Sequence, residues 1–476
     1  MPKRNVVMEV PAELAEMVRR LVKLEERNAR MADGKEPVDW STVSGELEAT
    51  MRDAEAKFTR ELLQRYDERA KTITVDGQTY RRVGRHEGTY YAKAGPVTLP
   101  RTLYRNAAIR NDKTVDAISL KLGCVEDGWL PEAADAMACL LQSVPAGEAE
   151  KLAKKLGRVQ YSASSFKRVG TSVGSLYEAQ RGDIEDALIE ACVIPDKTRS
   201  LTVSLDRVAL PMEVDVPRKA GRPKKGAAKR SIARAFEMAW VGTVSFVDGD
   251  GEALHSIRYG AVPTRVPERP EQILESMLGD VRALLAKQPG LKVTVVSDGA
   301  GDVVGLLDAH FTDASVGKAV TRLVDFWHVM EKLGKATTLL FGSKEGSKHL
   351  GQWKLRLLNT PHAPAQILRE LENTGREWEK AGEVRPVHDA ITYLTNQADR
   401  MGYVAARAEG RNIGSGSVEA TCKSLVQVRM CRSGARWRRH SAQAVLSLRA
   451  LALSDRWDLA MQLTFGPLRH DVQCAA

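Results

Sequence analysis

Apolar positions along the chain change period several times, and each change marks a boundary. From Met1 to Lys71 they recur at helical spacing. Leu14, Val18, Leu21 and Leu24 form one stripe and Leu47, Met51, Ala54 and Phe58 a second, with capping residues from Asp39 to Ser44 between them. From Thr72 to Arg105 the pattern shortens to β segments. Asp76-Gly77 reads as a hairpin turn, and Gly88 and Gly95-Pro96 as breaks between later strands. Leu130 to about Cys192 returns to helices. Within it Ala149, Leu152, Ala153 and Leu156 line one helix, Gly157 can end it in the left-handed conformation, and Ser162 can cap the next. Phe166, Val169 and Val173 are expected to face that first helix and leave Lys167 and Arg168 outward. A recognition helix in a DNA major groove has this pattern, and so does a plain helical hairpin.

From Arg199 onward β and α patterns alternate. Leu201 to Met212, Phe236 to Val247 and Ala253 to Tyr259 read as strands, the last two parted by Asp248-Gly249-Asp250-Gly251, a hairpin signal. Glu271 to Lys287 is an amphipathic helix. Leu291 to Ser297 is a near-continuous apolar run, as in a strand buried on both faces. A short helix, Val303 to His310, and a fifth strand, Ala319 to Val324, follow. Three antiparallel strands, then helix, strand, helix and strand, is the order of a ribonuclease-H-like domain. The expected fold class is therefore α/β. A ribonuclease-H-like domain with a mixed five-stranded sheet carries an all-helical insertion and follows a helical plus small-β region that binds DNA. The expected segments are 1–71 (helical), 72–125 (small β), 126–195 (helix-turn-helix-like), 196–325 (core, first part), 326–410 (helical insertion) and 411–476 (core completion and basic helices).

Composition narrows the function classes. With 476 residues and 43% hydrophobic content the chain can bury sizeable cores, and length alone suggests roughly three domains. No run approaches the ~18 apolar residues of a membrane span, and the first residues lack the apolar core of a signal peptide, so a cytoplasmic protein with no membrane partner is expected, nucleoid-associated if it binds DNA. The six cysteines include no C-x-x-C pair, which gives a thiolate zinc site no support. The net charge of +10 is concentrated in blocks. Ala420 to Ser454 holds no acid but contains Lys423, Arg429, Arg432, Arg436, Arg438, Arg439 and Arg449. Arg218 to Arg234 holds none either, and carries Arg222, Lys224, Lys225, Lys229 and Arg230. Blocks of one sign suit phosphate neutralisation, although a solvated face has the same composition. Gly221-Arg222-Pro223 resembles the core of an AT-hook, which lies in a narrow minor groove; a basic loop against phosphates is the plainer reading.

Three acids carry the candidate chemistry. Asp206 lies in an apolar β-rich run, Asp298 closes a second such run, and Glu419 follows the glycine turn Gly414-Ser415-Gly416. In a ribonuclease-H-like sheet the first and fourth strands are neighbours, which brings Asp206 and Asp298 together, while Glu419 arrives from a later helix. Three carboxylates can hold two Mg²⁺ ions, with Mn²⁺ as a substitute, and such a pair activates an attacking oxygen and stabilises a leaving one. Asp325 and His328, three apart, share a helix face. His328 is expected either to contact a phosphate or flipped base with Asp325 orienting its ring, or to pack beneath Asp325 acting as an N-cap.

With these residues in place, the chain resembles the DDE transposases of bacterial insertion sequences, most closely the ISKra branch. The likeness is carried by S-L-D-R-V-A-L-P-M-E, A-L-H-S-I-R-Y-G, V-V-S-D-G-A, R-L-V-D-F-W-H-V, W-K-L-R-L-L-N and I-G-S-G-S-V-E-A-T-C-K-S-L-V, spread over roughly Ser204 to Asp458. The resemblance implies a metal triad of Asp206, Asp298 and Glu419, a D-x-x-H element at Asp325 and His328, and a helical insertion before the Glu. It also implies double-stranded DNA as partner, in the form of terminal inverted repeats and target, and a homodimer or larger assembly on that DNA. Members often carry zinc-ribbon cysteine pairs in the N-terminal β region. This chain has none between Thr72 and Arg105, so those strands are expected to dock on DNA or a partner without metal.

Rival readings are a ribonuclease-H-like structure-selective nuclease and a catalytically silent, domesticated DNA-binding protein. A tyrosine recombinase is disfavoured because Tyr403 is the last tyrosine. The lack of an H-x-H pair disfavours a nicking enzyme of that metal type, and 5% aromatic content disfavours a glycosidase cleft.

Overall fold

A computed structural model describes residues 12–214, 234–263, 270–378 and 385–474. The chain forms two compact units, residues 1–177 with 461–476, and residues 178–460.

In the first unit, α1 (Ala12–Ala32) and α2 (Trp40–Gln64) form a helical hairpin. Asp39 caps α2 by accepting the Thr42 N–H at 3.1 Å, as its place between the stripes predicted. The strands β1 (Thr72–Val75), β2 (Gln78–Ala92), β3 (Gly95–Asn106) and β4 (Val115–Asp116) follow, then the helices α3 (Ala117–Leu122), α4 (Pro131–Ser143), α5 (Ala146–Leu156) and α6 (Ala163–Ala179). Asp76 and Gly77 both have positive φ, 48° and 81°, which matches the right-handed twist of the hairpin they join. Gly88 does not break a strand. It lies inside β2 opposite Leu99, and a Cβ there would meet the Arg101 side chain at 2.2 Å. The glycine is the space that lets Arg101 cross the sheet to Asp116.

Two further departures concern the helices. Leu47, Met51 and Phe58 are exposed, and α2 turns Val43, Ala54 and Leu63 inward instead. On α5 the alanines are buried but Leu152 and Leu156 stay exposed, while Gly170 of α6 sits tightly against Leu141 of α4. The face of α6 holding Phe166, Val169 and Val173 is buried as predicted. The sequence also gave no sign of β10 (Val472–Cys474), which pairs antiparallel with β1 and completes a sheet ordered β10-β1-β2-β3-β4.

The second unit starts with α7 (Arg181–Ala191) and holds a mixed sheet. β5 (Ser200–Glu213), β6 (Arg234–Val247) and β7 (Ala253–Ala261) run antiparallel. β8 (Lys292–Ser297) and β9 (Val320–Val324) add parallel, in the order β7-β6-β5-β8-β9. Between them come α8 (Glu271–Lys287), α9 (Gly301–His310) and α10 (Asp313–Val316). The first and fourth strands are thus neighbours, paired from Ser200↔Lys292 to Val203↔Val295.

Side-chain alternation along β5 sets the two faces of this sheet. Leu201, Val203 and Leu205 pack with Met277, Val281 and Leu284 of α8. Val208, Leu210 and Met212 face the other way, towards α15 (Gly416–Thr421), the π-helical turn Cys422–Gln427, α16 (Val428–Met430) and α17 (Arg439–Leu453). Asp206 belongs to this second set by parity. Between β9 and α15 lies a helical segment with its own core: α11 (Phe326–Asn359), α12 (Ala363–Trp378), α13 (Arg385–Asn396) and α14 (Tyr403–Ala408), packed around Leu333, Trp353, Leu371 and Leu394. The last helix, α18 (Trp457–Phe465), leads into the C-terminal residues of the first unit. No helix among the described residues is long and apolar enough to cross a membrane.

Candidate active site

The parallel register of β5 and β8, carried three residues past its last pair, sets Asp206 level with Asp298. Asp206 accepts the Arg207 N–H at 2.6 Å, and the Cys422 thiol lies 3.5 Å from its other oxygen. Burial pushes its carboxyl above the usual carboxylate range, and the charges of Asp298 and Glu419 add to that push. The Arg207 N–H and the Cys422 thiol offset it in part. The Arg207 guanidinium turns away, pairing with Asp302 and lying 5.4 Å from the Trp240 ring centre.

Asp298 follows the last residue of β8. One of its oxygens accepts the Ala300 N–H at 2.9 Å, and Gly299 makes the turn with φ 85°. The helical segment holds this turn from outside. The Tyr393 hydroxyl donates to the Asp298 carbonyl at 2.7 Å, and the Gln397 amide donates to the Gly299 carbonyl at 3.2 Å. A Cβ on Gly299 would lie 3.0 Å from the Tyr393 ring.

Glu419 is exposed, in the first turn of α15. Its Oε1 lies 3.1 Å from the Ser415 hydroxyl and 3.3 Å from His328 Nε2. Ser415 is buried and tied by its N–H and its hydroxyl to one oxygen of Asp325, the hydroxyl at 2.5 Å. The other Asp325 oxygen accepts the N–H groups of Trp327 and His328, at 2.5 and 3.0 Å. Fully buried Asp325 is therefore the N-cap of α11 and a clamp on the glycine turn. Of the two expected roles it takes the cap, bonding the main-chain N–H of His328. The His328 ring faces Glu419 on one side and Glu331, at 3.8 Å, on the other.

Asp298 and Glu419 thus both lie within charge range of Asp206, beside the carboxyl end of β8. Among the described residues no group of three His, Cys, Asp or Glu side chains is gathered tightly enough to hold an ion as it stands. The donors nonetheless suit a hard cation. The charged groups that act on Asp206 are both carboxylates, and oxygen ligands are what Mg²⁺ takes. Against the glycine turn that precedes Glu419 opens a cavity of about 570 Å³ bordered by Trp327, Lys354, Arg407, Gly414 and Ser417, with Asp250 also on its wall. Lys354 lies 4.8 Å from the centre of the exposed Trp327 ring.

Sequence reasoning passed over Ser415, Cys422, Trp327 and Tyr393. All four lie inside strings that carry the resemblance, Tyr393 in R-P-V-H-D-A-I-T-Y-L. Spacing to Asp325 or Glu419 could have raised the first three, whereas no spacing ties Tyr393 to Asp298.

The basic candidates divide. Lys423, Arg432 and Arg436 are exposed, as is Lys167. Arg168 is exposed but pairs with Glu126 and lies 5.9 Å from the Trp129 ring centre. Arg438 makes a two-pronged bridge to Glu213 at 3.1 and 3.2 Å, and Arg439 bonds Glu237 at 2.6 Å. These two arginines anchor α17 to strand carboxylates. Arg429 is a correction. It is buried, 5.2 Å from the Trp437 ring centre, and does not present a surface to DNA. Arg449 is buried as well, donating to the Ser424 carbonyl at 2.6 and 2.8 Å. Arg222, Lys224, Lys225, Lys229 and Arg230, with the G-R-P string, lie outside the described residues.

No family model and no curated protein matches the chain. Among solved structures, the Drosophila P element transposase strand transfer complex is similar at 11% identity and a TM-score of 0.37, over 67% of this chain and 91% of that chain. A likeness of that size establishes neither fold family nor activity.

Proposed function

We propose that the chain is a DNA transposase of the DDE type, of the ISKra branch that its motif strings resemble, built on a ribonuclease-H-like domain. It cleaves a strand at each end of its element and transfers the freed 3′-hydroxyl to target DNA. The observation that supports this reading is that Asp206 lies within charge range of both Asp298 and Glu419, in a sheet whose first and fourth strands are parallel neighbours. Double-stranded DNA is the partner, with two element ends held in a dimer or larger assembly.

Asp206, Asp298 and Glu419 are the residues that would hold two Mg²⁺ ions, or Mn²⁺ in their place; when bound, the ions activate the attacking oxygen and neutralise the leaving one. The protein's own part is positioning. Ser415 and His328 bracket Glu419 Oε1, and Asp325 fixes the turn that Ser415 belongs to. Tyr393 steadies the turn after Asp298. Lys423, Arg432 and Arg436 supply exposed charge for phosphates, and Trp327 with Lys354 offers an aromatic and cationic wall against the glycine turn.

The test is a supercoiled plasmid carrying candidate element ends, incubated with protein and Mg²⁺. Wild type is expected to cut at the ends. Asp206→Ala, Asp298→Ala and Glu419→Ala are expected to bind the same ends without cutting. Equal cutting by any one of them removes that residue from the site. End binding by wild type with no cutting under Mg²⁺ or Mn²⁺ favours the non-catalytic DNA-binding reading.

A further inference from the structure

The helix α2 carries an apolar stripe that nothing in the described structure covers. Trp40, Leu47, Met51, Phe58 and Leu62 are 63%, 41%, 51%, 48% and 40% exposed. Trp40, Met51 and Leu62 recur every eleven residues, and so do Leu47 and Phe58. Eleven residues make almost three whole turns, about 3.67 per turn, so the stripe runs nearly straight along the helix. The inward faces of α2 are already used. Val43 and Ala54 are buried in the hairpin, and Leu63 packs with Tyr90 and Leu99 of the sheet.

The partner helix widens the patch. Arg20–Asp53 at 2.8 Å and Arg27–Glu46 at 3.1 Å fix the antiparallel register of the hairpin. That register sets Val22, 50% exposed, at the level of Met51, with Val18 one turn away. On the other side, Arg158 pairs with Glu55 and so brings the end of α5, with its exposed Leu156, beside the middle of α2.

We infer that this face is where two copies of the chain associate, with α2 lying antiparallel on α2 of the second copy about a twofold axis at Met51. The spacing is self-complementary in that arrangement. Met51 meets Met51, Trp40 lies level with Leu62 of the second copy, and Leu47 and Phe58 fall between the second copy's residues. The area also fits. Large side chains carry ~150–250 Å², so half-exposure at the stripe's positions offers on the order of 500 Å² per copy. Val18, Val22 and Leu156 bring this towards the ~800 Å² per partner of a standard interface. With those additions the patch exceeds the ~300–600 Å² of the largest apolar patch on a typical monomer. The association needs neither DNA nor metal, so it is independent of the catalytic reading.

The experiment uses the full chain without DNA, in light scattering or sedimentation at micromolar concentration. Wild type is expected to be dimeric. Met51→Glu combined with Phe58→Glu is expected to weaken self-association about 100-fold or more and to give a folded monomer, since both side chains are exposed. Orientation is read by oxidative cross-linking against a wild-type control, because native cysteines are present. Met51→Cys is expected to form a cross-linked dimer. Phe58→Cys is not, because antiparallel pairing about Met51 separates the two copies of that position by about 21 Å along the helix. A monomeric wild type, or a dimer that survives the double charge substitution, overturns the inference and assigns the stripe to another occupant. Cross-linking at Phe58→Cys as efficient as at Met51→Cys overturns the antiparallel pairing.

Discussion

At the scale of single residues, the best-supported groups around the acids are the ones that touch them indirectly. Ser415 stands between a fully buried carboxylate and an exposed one, and has only one hydroxyl proton to share. Its short contact to Asp325 makes that oxygen the acceptor, so the serine holds Glu419 mainly by fixing the turn and filling the space beside Oε1. Groups of this kind orient ligands without binding anything themselves, and their loss typically costs 10–100-fold in activity. Ser415→Ala is therefore expected to lower the rate of end cleavage by roughly 10–100-fold while leaving end affinity within about twofold. Ser415→Thr, which keeps the hydroxyl, is expected to restore most of the rate. A loss of DNA binding in parallel with cleavage would mean that Ser415 supports the fold alone. The same residue scale shows why charge was a poor guide to surface. Arg429 sits in the same acid-free block as Lys423, but Trp437 offers it an aromatic face, and burial there leaves it unable to reach phosphate.

At the scale of elements, the turn after β8 shows how the helical segment serves the site. Gly299 and Gly317 both have positive φ, 85° and 77°, so alanine is strained at either. They differ in surroundings: a Cβ at 317 meets nothing within 4 Å, whereas at 299 it lies 3.0 Å from a Tyr393 ring pinned by its bond to the Asp298 carbonyl. Gly317→Ala is expected to cost about 1–2 kcal/mol in chemical denaturation, the backbone term alone, with cleavage unchanged. Gly299→Ala is expected to cost more and to reduce cleavage, because the ring and the Asp298 turn cannot both stay in place. Equal effects would separate Tyr393 from the site. Elements of this unit were legible where burial is two-sided or strictly alternating. The runs ending at Ser297 and Val324, and the helix from Glu271 to Lys287, appear at or within a residue of their expected bounds. The nearness of Asp206 and Asp298 was legible because the neighbour order of the first and fourth strands implies it with no knowledge of side-chain contacts. Tyr393 was not legible, since its partner is a main-chain carbonyl distant in sequence. The α2 stripe was legible only as an apolar face, because periodicity does not say which molecule covers it. Gly88 was read as a break because sequence does not show that Arg101 crosses over it.

At the scale of the whole chain, the second unit is inserted in sequence between two parts of the first, because residues 461–476 belong with residues 1–177. That link is made by β10, three residues whose polar character hid them from any pattern. Val472 alone points inward, joining Ile73, Val75 and Tyr104, while Gln473 and Cys474 are exposed. Around the strand, His470 pairs with Asp76 at 2.5 Å and the Cys474 thiol lies 2.8 Å from Glu68. Without β10, the edge of β1 would present unpaired N–H and C=O groups, the usual template for unwanted strand pairing. Truncation before His470 is expected to destabilise the first unit by on the order of 2–4 kcal/mol, from the lost valine burial and ladder bonds. For a unit of this size that is roughly a 5–15 °C fall in its own unfolding transition. The transition of the second unit should stay where it is, and amide exchange should rise first along β1. Val472→Asp should reproduce most of the loss and Gln473→Asp almost none, because parity puts only the valine in the core. If both substitutions are silent, β10 is a passive strand and the first unit is complete without it; if both transitions move together, the two units unfold as one.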